Sequence, residues 1–186
     1  NLRGLREAYK YRISYLVFTR DMLPNLIEMD AAREEFYELL ASNVMGLKPY
    51  AKSDAMSVLE RVAGRNQLTL TDKLRDCLYG LAGGHAGLLR AALLGTIQNK
   101  LANQLHQPDA AARLLQIPGV EMECDKLWRS LSTHEQRTLM AKAQNFDAVM
   151  DATVVRQLQI KGLLTEGDTA VIFSPLFAQF VENPEA

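Results

Sequence analysis

The sequence predicts a mainly α-helical protein with one buried strand near its N-terminus and a three-helix unit with a β-hairpin near its C-terminus. Three observations predict this fold class. Residues 13–18, ISYLVF, are apolar apart from one serine, as in a strand buried on both faces. Residues 30–107 place apolar side chains at helical spacing between turn residues. From residue 108 onward, three helical segments precede two short apolar runs around a Glu-Gly-Asp turn.

The first segment, residues 1–29, contributes the strand. Residues 1–12 suit a short amphipathic helix, and the strand ends in the polar residues Thr19 and Arg20. A single strand cannot form a sheet, because its backbone groups need a partner. We therefore expect either pairing within an oligomer or a chain that is a fragment of a larger protein, with the other strands preceding Asn1.

The second segment, residues 30–107, is predicted to be a helical bundle. Asp30 can cap its first helix, which has apolar residues at one face. After a break at residues 47–50, LKPY, we expect Ser53 or Asp54 to cap a second helix that stops at Gly64.

The bundle continues on both sides of a glycine-rich turn. A third helix is expected to begin at Thr71 and to run into residues 83–87, GGHAG. A long apolar helix should follow, from about Ala86 to Gln104.

The third segment, residues 108–186, begins between Pro108 and Pro118, where we expect a domain boundary. Ser132 and Glu135 have capping-box spacing at the start of the second of its three helices. The third helix is expected to end at Gly162, before the hairpin. Three helices followed by a hairpin is the order of a winged helix. A short final helix is expected to bury Leu176, Phe177 and Phe180, and Trp128 to anchor the first helix of the segment.

The composition says more about the cellular compartment of the protein than about its binding partners. The formal charge of −1, with 48% hydrophobic and 23% charged residues, argues against disorder and against a surface that binds polyanions everywhere. Cys77 and Cys124 lack C-x-x-C spacing and fit small core residues in a reducing compartment, which predicts a cytoplasmic protein. No uncharged run approaches the ~20 residues of a membrane span, and no signal peptide is recognisable.

The sequence offers no assembled catalytic or metal centre. His85, His106 and His134 lie in three different elements, without metal-ligand spacing to another His or Cys. The phosphate-loop pattern G-x-x-x-x-G-K-[ST] is absent, so the chain alone lacks the usual backbone cradle for a nucleoside triphosphate. We predict that this chain by itself does not hydrolyse one.

The order of elements, with the strand end VFTRD, resembles the C-terminal part of STAND-type AAA+ NTPases. In that family a strand with a similar end carries a sensor arginine. The resemblance implies that Arg20 senses the terminal phosphate of the nucleotide and that Thr19 is its neighbour. A guanidinium has five donors and a fixed charge, which suits phosphate oxygens. The alternative is a surface salt bridge between Arg20 and Asp21 or Glu28.

The glycine turn is the second part of the resemblance. STAND proteins place a G-x-P turn of the helical lid beside the adenine, and Gly84, His85 and Ala86 occupy the corresponding place, with Ala86 where the proline would be. The resemblance further implies that Arg90 can act as a second sensor. The alternative is a glycine turn that only packs one helix against another, with Arg90 a solvated helix residue.

The third part is the segment Phe173 to Leu176. The family carries an M-H-D signature here, whose histidine touches the diphosphate, and Ser174 stands in the place of that histidine. The resemblance therefore implies a nucleotide contact from Ser174. The alternative is that Ser174 starts the last helix.

The resemblance implies a mainly α fold of three parts, in which residues 1–29 are a remnant of an α/β NTPase core, residues 30–107 a helical lid and residues 108–186 a winged helix. It implies a regulatory fragment of a nucleotide-switch ATPase in signal transduction. ATP or ADP, with Mg²⁺ in the intact parent, would be its cofactor. The expected partners are the N-terminal NTPase core, other protein domains or a second copy of the chain, and no membrane.

A DNA-binding winged helix with a helical dimerisation domain is the competing interpretation. Its recognition helix would offer Arg156, Gln157, Gln159 and Lys161 to DNA. The hairpin turn Glu-Gly-Asp is acidic where a DNA-binding wing would be basic, which favours a winged helix that faces protein.

Overall fold

The computed structural model of the protein describes residues 2–10, 12–19, 21–28, 30–41, 44–144, 150–167 and 169–184. The fold is mainly helical, as predicted. The chain divides into two compact units, Asn1–Met45 and Gly46–Ala186. The smaller unit contains helices α1 (Leu2–Ala8), α2 (Leu23–Leu26) and α3 (Ala31–Ala41). The larger unit contains α4 (Lys52–Arg65), α5 (Asp72–Ala82), α6 (Ala86–Gln98), α7 (Ala110–Leu115), α8 (Pro118–Arg129), α9 (Thr133–Ala143), α10 (Ala152–Ile160) and α11 (Pro175–Glu182).

The predicted buried strand in the smaller unit is wrong. Residues 13–19 form neither helix nor strand, and the side chains of Leu16 and Phe18 are 79% and 74% exposed. An apolar run becomes a strand only when a neighbouring strand takes up its backbone hydrogen bonds, and no described residue of this unit does so. The prediction for Asp30 is confirmed, because its Oδ1 accepts a hydrogen bond from the Arg33 backbone at 2.9 Å, within the first turn of α3.

One hydrophobic core runs through the larger unit, from Ala55 in α4 to Val181 in α11. Helix α6 packs against α4, α5 and α8, and α11 packs against α5, α7, α8 and α9. Helix α6 is apolar on most of its circumference and is therefore covered on several sides.

Several helix ends differ from the prediction. Helix α4 begins at Lys52 after Ala51, so Ser53 and Asp54 lie in its first turn and do not cap it. Helix α6 ends at Gln98 and not at Gln104, because the backbone turns at Asn99 and enters the left-handed region at Lys100.

Other helix ends are confirmed. Thr71 Oγ1 accepts a hydrogen bond from the Leu74 backbone at 3.2 Å, and Ser132 and Glu135 form the reciprocal capping box at the start of α9. Gly162 follows α10 with φ +69°. The final helix buries Leu176, Phe177 and Phe180 as expected, and Trp128 packs half-buried against the core.

The predicted hairpin is reduced to one antiparallel bridge between Leu164 and Ile172 in the described residues. Thr165 donates its backbone hydrogen to the Val171 carbonyl at 2.9 Å, and Phe173 donates to the Leu163 carbonyl at 3.1 Å. We refer to residues 163–173 as the hairpin arm. Among the helices of the described residues, none combines the length and the apolar character that crossing a membrane requires.

Candidate functional site

The turn between α5 and α6, residues 83–87, is the centre of the candidate site. Gly83 and Gly84 adopt φ +60° and +80°, which side chains disfavour, so the chain reverses over two residues. Gly83 donates its backbone hydrogen to the Tyr79 carbonyl at 2.9 Å and thereby closes α5. His85 then caps α6, since its Nδ1 accepts a hydrogen bond from the Leu88 backbone at 3.3 Å.

The end of the hairpin arm packs on this turn. Ser174 is fully buried, its Oγ donates to the Leu81 carbonyl at 2.8 Å, and the same Oγ accepts a hydrogen bond from the Phe177 backbone at 3.2 Å. A Cβ atom on Gly83 would lie 2.1 Å from the Phe173 carbonyl oxygen. Two motifs that the sequence separates by about 90 residues are therefore brought together, and a backbone contact joins them.

A third segment reaches the turn from the loop before α4. Tyr50 donates its backbone hydrogen to the Gly84 carbonyl at 3.0 Å. A Cβ atom on Gly84 would lie 2.3 Å from the Tyr50 carbonyl oxygen. The two glycines thus admit protein backbone on both sides of the turn.

Electrostatics around His85 favour its neutral form. Burial lowers the pKa of His85, and the Glu123 carboxylate of α8 opposes this effect only in part. The imidazole ring lies 6.2 Å from the ring of Phe173, between centroids. Because Nδ1 accepts the hydrogen bond of the cap, the neutral ring carries its proton on Nε2, which is the atom left for another contact.

Cys124 lies next to Glu123 on α8 and is not a nucleophile. Burial raises the pKa of its thiol to about 12, and the carboxylates of Glu123 and Glu121 add to the effect. A thiol with this pKa is protonated at neutral pH, so Cys124 is the core residue that its sequence context predicts.

The residues that the sequence predicts to contact a nucleotide differ in their contacts and in their exposure. The Gly84 carbonyl accepts the Tyr50 backbone hydrogen, and the Ser174 hydroxyl both donates and accepts a hydrogen bond within the protein. Ser174 starts the last helix, as the alternative had it. Ala86 and Arg90 are exposed, and His85 is half-buried.

Comparisons of the chain with protein-family models, with curated proteins and with solved structures found no match.

The two remaining residues of the predicted nucleotide site lie in the smaller unit. Arg20 lies outside the described residues. Thr19 donates its hydroxyl hydrogen to the Asp21 carbonyl at 2.7 Å. The carboxylate of Asp21 accepts a hydrogen bond from the Met22 backbone at 2.8 Å, just before α2. The side chains of Thr19 and Asp21 thus have local structural contacts.

The four residues predicted to contact DNA, on and just after α10, differ in their contacts and in their exposure. Lys161 is 18% exposed and forms an ion pair with the buried Glu135, and Gln159 donates to the Thr165 carbonyl at 3.2 Å. Gln157 is half-buried, and Arg156 is exposed. Lys161, one of the two cations that the DNA-binding interpretation needs, is therefore used within the protein.

Sequence reasoning missed Tyr50 and Glu123 as neighbours of the turn. The adjacent glycines signalled a close approach but not the identity of the approaching group, which depends on tertiary packing. In the part of the chain that the structure describes, no group of three or more His, Cys, Asp or Glu side chains is arranged to hold a metal ion.

Proposed function

We propose that this chain is a regulatory part of a STAND-type nucleotide-switch ATPase, in which residues 46–186 serve as a lid joined to a winged helix that faces protein. The observation that carries the proposal is the contact of Gly83 in the 83–87 turn with Phe173, next to the hydrogen bond from Ser174 to Leu81 at the end of α5. These are the two segments that resemble the nucleotide-facing motifs of that family. Their packing supports a lid and winged helix that respond to a nucleotide together.

Within this proposal the residues divide into supports and contacts. Gly84 and Ser174 hold the turn against its neighbours, while His85 and Arg90 provide donors for the nucleotide. Arg20 is the proposed sensor, because a guanidinium can bind a γ-phosphate that ADP lacks. The sensor would distinguish ATP from ADP by the negative charge of the γ-phosphate.

The hairpin arm supports a role in protein contact. Its turn carries Glu166, whose pKa is lowered by a hydrogen bond from Lys48 and by the charge of that lysine, so the carboxylate is ionised at neutral pH. A carboxylate at this position repels DNA phosphates. An acidic hairpin turn therefore suits a winged helix that faces protein better than one that faces DNA.

Nuclear magnetic resonance of the ¹⁵N-labelled chain tests the proposal during titration with ATP and with ADP in the presence of Mg²⁺. We expect weak binding, on the order of millimolar, because the phosphate loop is absent and few contacts remain. The amide signals of residues 83–90 should shift, and the variant His85→Ala should reduce these shifts. His134→Ala is the matched control, because His134 is exposed and lies on α9.

Two outcomes would contradict the proposal. Tight ATP binding by calorimetry would show that the chain has a complete site of its own. Absence of shifts in residues 83–90 at saturating nucleotide would remove the turn from the site. Binding of random duplex DNA that falls steeply with salt, and is lost in Arg156→Ala, would favour the DNA-binding interpretation.

A further inference from the structure

Residues 46–50, GLKPY, form an extended segment that we call the strap. It precedes α4 and belongs to the larger unit. It is also the stretch of chain through which residues 1–45 are covalently attached to that unit. Its own residues form neither helix nor strand, so its course is set by what it contacts.

Glycines receive the strap at three places. A Cβ atom on Gly46 itself would lie 1.7 Å from the Ile160 carbonyl oxygen at the end of α10. A Cβ atom on Gly162 would lie 2.5 Å from Pro49 Cδ and 3.1 Å from Lys48 Cα. A Cβ atom on Gly84 would lie 2.3 Å from the Tyr50 carbonyl oxygen. Each contact is closer than a side chain would permit, so the strap lies directly on backbone.

Polar contacts accompany this packing. Tyr50 donates its backbone hydrogen to Gly84 at 3.0 Å. Lys48 forms an ion pair with Glu166 in the hairpin arm. Both side chains of this pair are more than half exposed, so the pair adds little to the binding of the strap. The close packing at the glycines is the larger contribution.

We propose that the strap couples the 83–87 turn to the end of α10 and the hairpin arm. Pro49 has a fixed backbone angle φ and directly precedes Tyr50, which limits how the chain can bend between the contact at Gly162 and the contact at Gly84. When the strap loses its contact with Gly162, it therefore also loses its contact with Gly84. The proposal concerns the protein's own contacts and does not depend on nucleotide binding.

Hydrogen exchange of the Tyr50 amide is the direct measure of the coupling, because this hydrogen is bonded to Gly84 while the perturbation is made at Gly162. The variants are Gly162→Ala and Gly162→Asn, whose new Cβ meets Pro49 in both cases. We expect the Tyr50 amide to exchange at least about tenfold faster in both variants. The Phe173 amide, bonded to Leu163 within the hairpin arm, should keep its protection.

Leu47→Ser is the matched control, because the Leu47 side chain is 84% exposed and its replacement should leave Tyr50 exchange unchanged. Gly162 has φ +69°, so its replacement also strains the backbone and can unfold the unit. In that case Gly162→Asn decides, since asparagine adopts a positive φ more readily than alanine. Tyr50 exchange within about twofold of the wild type in a folded Gly162→Asn variant would overturn the coupling.

Discussion

The ion pair between Glu135 and Lys161 is the strongest single test of the packing between α9 and α10. The Glu135 side chain is 2% exposed, and its Oε2 accepts a hydrogen bond from the Ser132 backbone at 2.9 Å. Its Oε1 lies 2.7 Å from the Lys161 ammonium, whose side chain is 18% exposed. One carboxylate thus caps α9 and holds the end of α10.

Replacing Lys161 by methionine keeps most of the apolar stem and removes the charge. The Glu135 carboxylate then stays buried with the hydrogen bonds of Ser132 alone. Breaking a buried pair in this way costs about 3–5 kcal/mol of unfolding free energy. We expect about 3 kcal/mol, at the low end, because the Ser132 donors remain and Lys161 is not fully buried.

A double-mutant cycle separates the pair from the cap. Glu135→Gln removes the charge but keeps an acceptor for Ser132, so it should cost about 1–2 kcal/mol. The double variant with Lys161→Met should cost less than the sum of the two, with a coupling energy of about 2 kcal/mol. The physical reason is that Lys161→Met leaves the Glu135 carboxylate unpaired, and Glu135→Gln removes this unpaired charge.

Urea unfolding followed by circular dichroism measures these differences. Lys52→Met is the matched control, because Lys52 pairs with Asp76 at 2.8 Å while both side chains are more than half exposed. This replacement should change stability little. The reasoning fails if Lys161→Met costs no more than Lys52→Met, or if the coupling energy is below about 0.5 kcal/mol.

Three further predictions concern the turn. Gly83→Ala should lower the free energy of unfolding by more than about 2 kcal/mol, because the new Cβ meets the Phe173 carbonyl and φ is +60°. Gly80→Ala is the control: a Cβ there has nothing within 4 Å, so the free energy of unfolding should rise by about 0.5–1 kcal/mol. The midpoints of urea unfolding compare the two variants. Ser174→Ala should cost about 2–3 kcal/mol in the same assay, since it leaves a buried carbonyl unpaired and removes a cap, while the exposed Ser57→Ala should be near neutral. Burial lowers the pKa of His85, so the unfolded chain binds its proton more readily, and stability should fall as the pH drops below the ordinary value of 6.5; His85→Asn, which keeps a cap acceptor, should lose this part of the pH dependence in unfolding titrations from pH 8 to pH 5.

Features that depend on a few neighbouring residues could be predicted from the sequence. The caps at Thr71 and Ser132 and the glycine turn at 83–84 are of this kind, because the side chain and the backbone group that it satisfies lie within four residues. Features that need a distant partner could not. Residues 13–18 are apolar enough for a strand, but a strand exists only where another one pairs with it.

The candidate site shows the same distinction. The resemblance implies ligand contacts for Gly84 and Ser174, and the structure adds contacts that the sequence does not show, to the backbone of Tyr50 and of Leu81. A glycine pair predicts that something approaches closely, and a buried serine predicts that something is bonded, but neither signal says what the partner is.

The crowding at the turn has a consequence for how the larger unit can move. The Phe173 backbone meets Gly83, and the Tyr50 backbone meets the adjacent Gly84, where no side chain separates them. Backbone contacts of this kind have little room for adjustment, because a shift of a few tenths of an ångström either breaks a hydrogen bond or creates a clash. A change at one segment must therefore be shared by the other two or break the contact. Helix, hairpin arm and strap are therefore held together at this turn by backbone contacts.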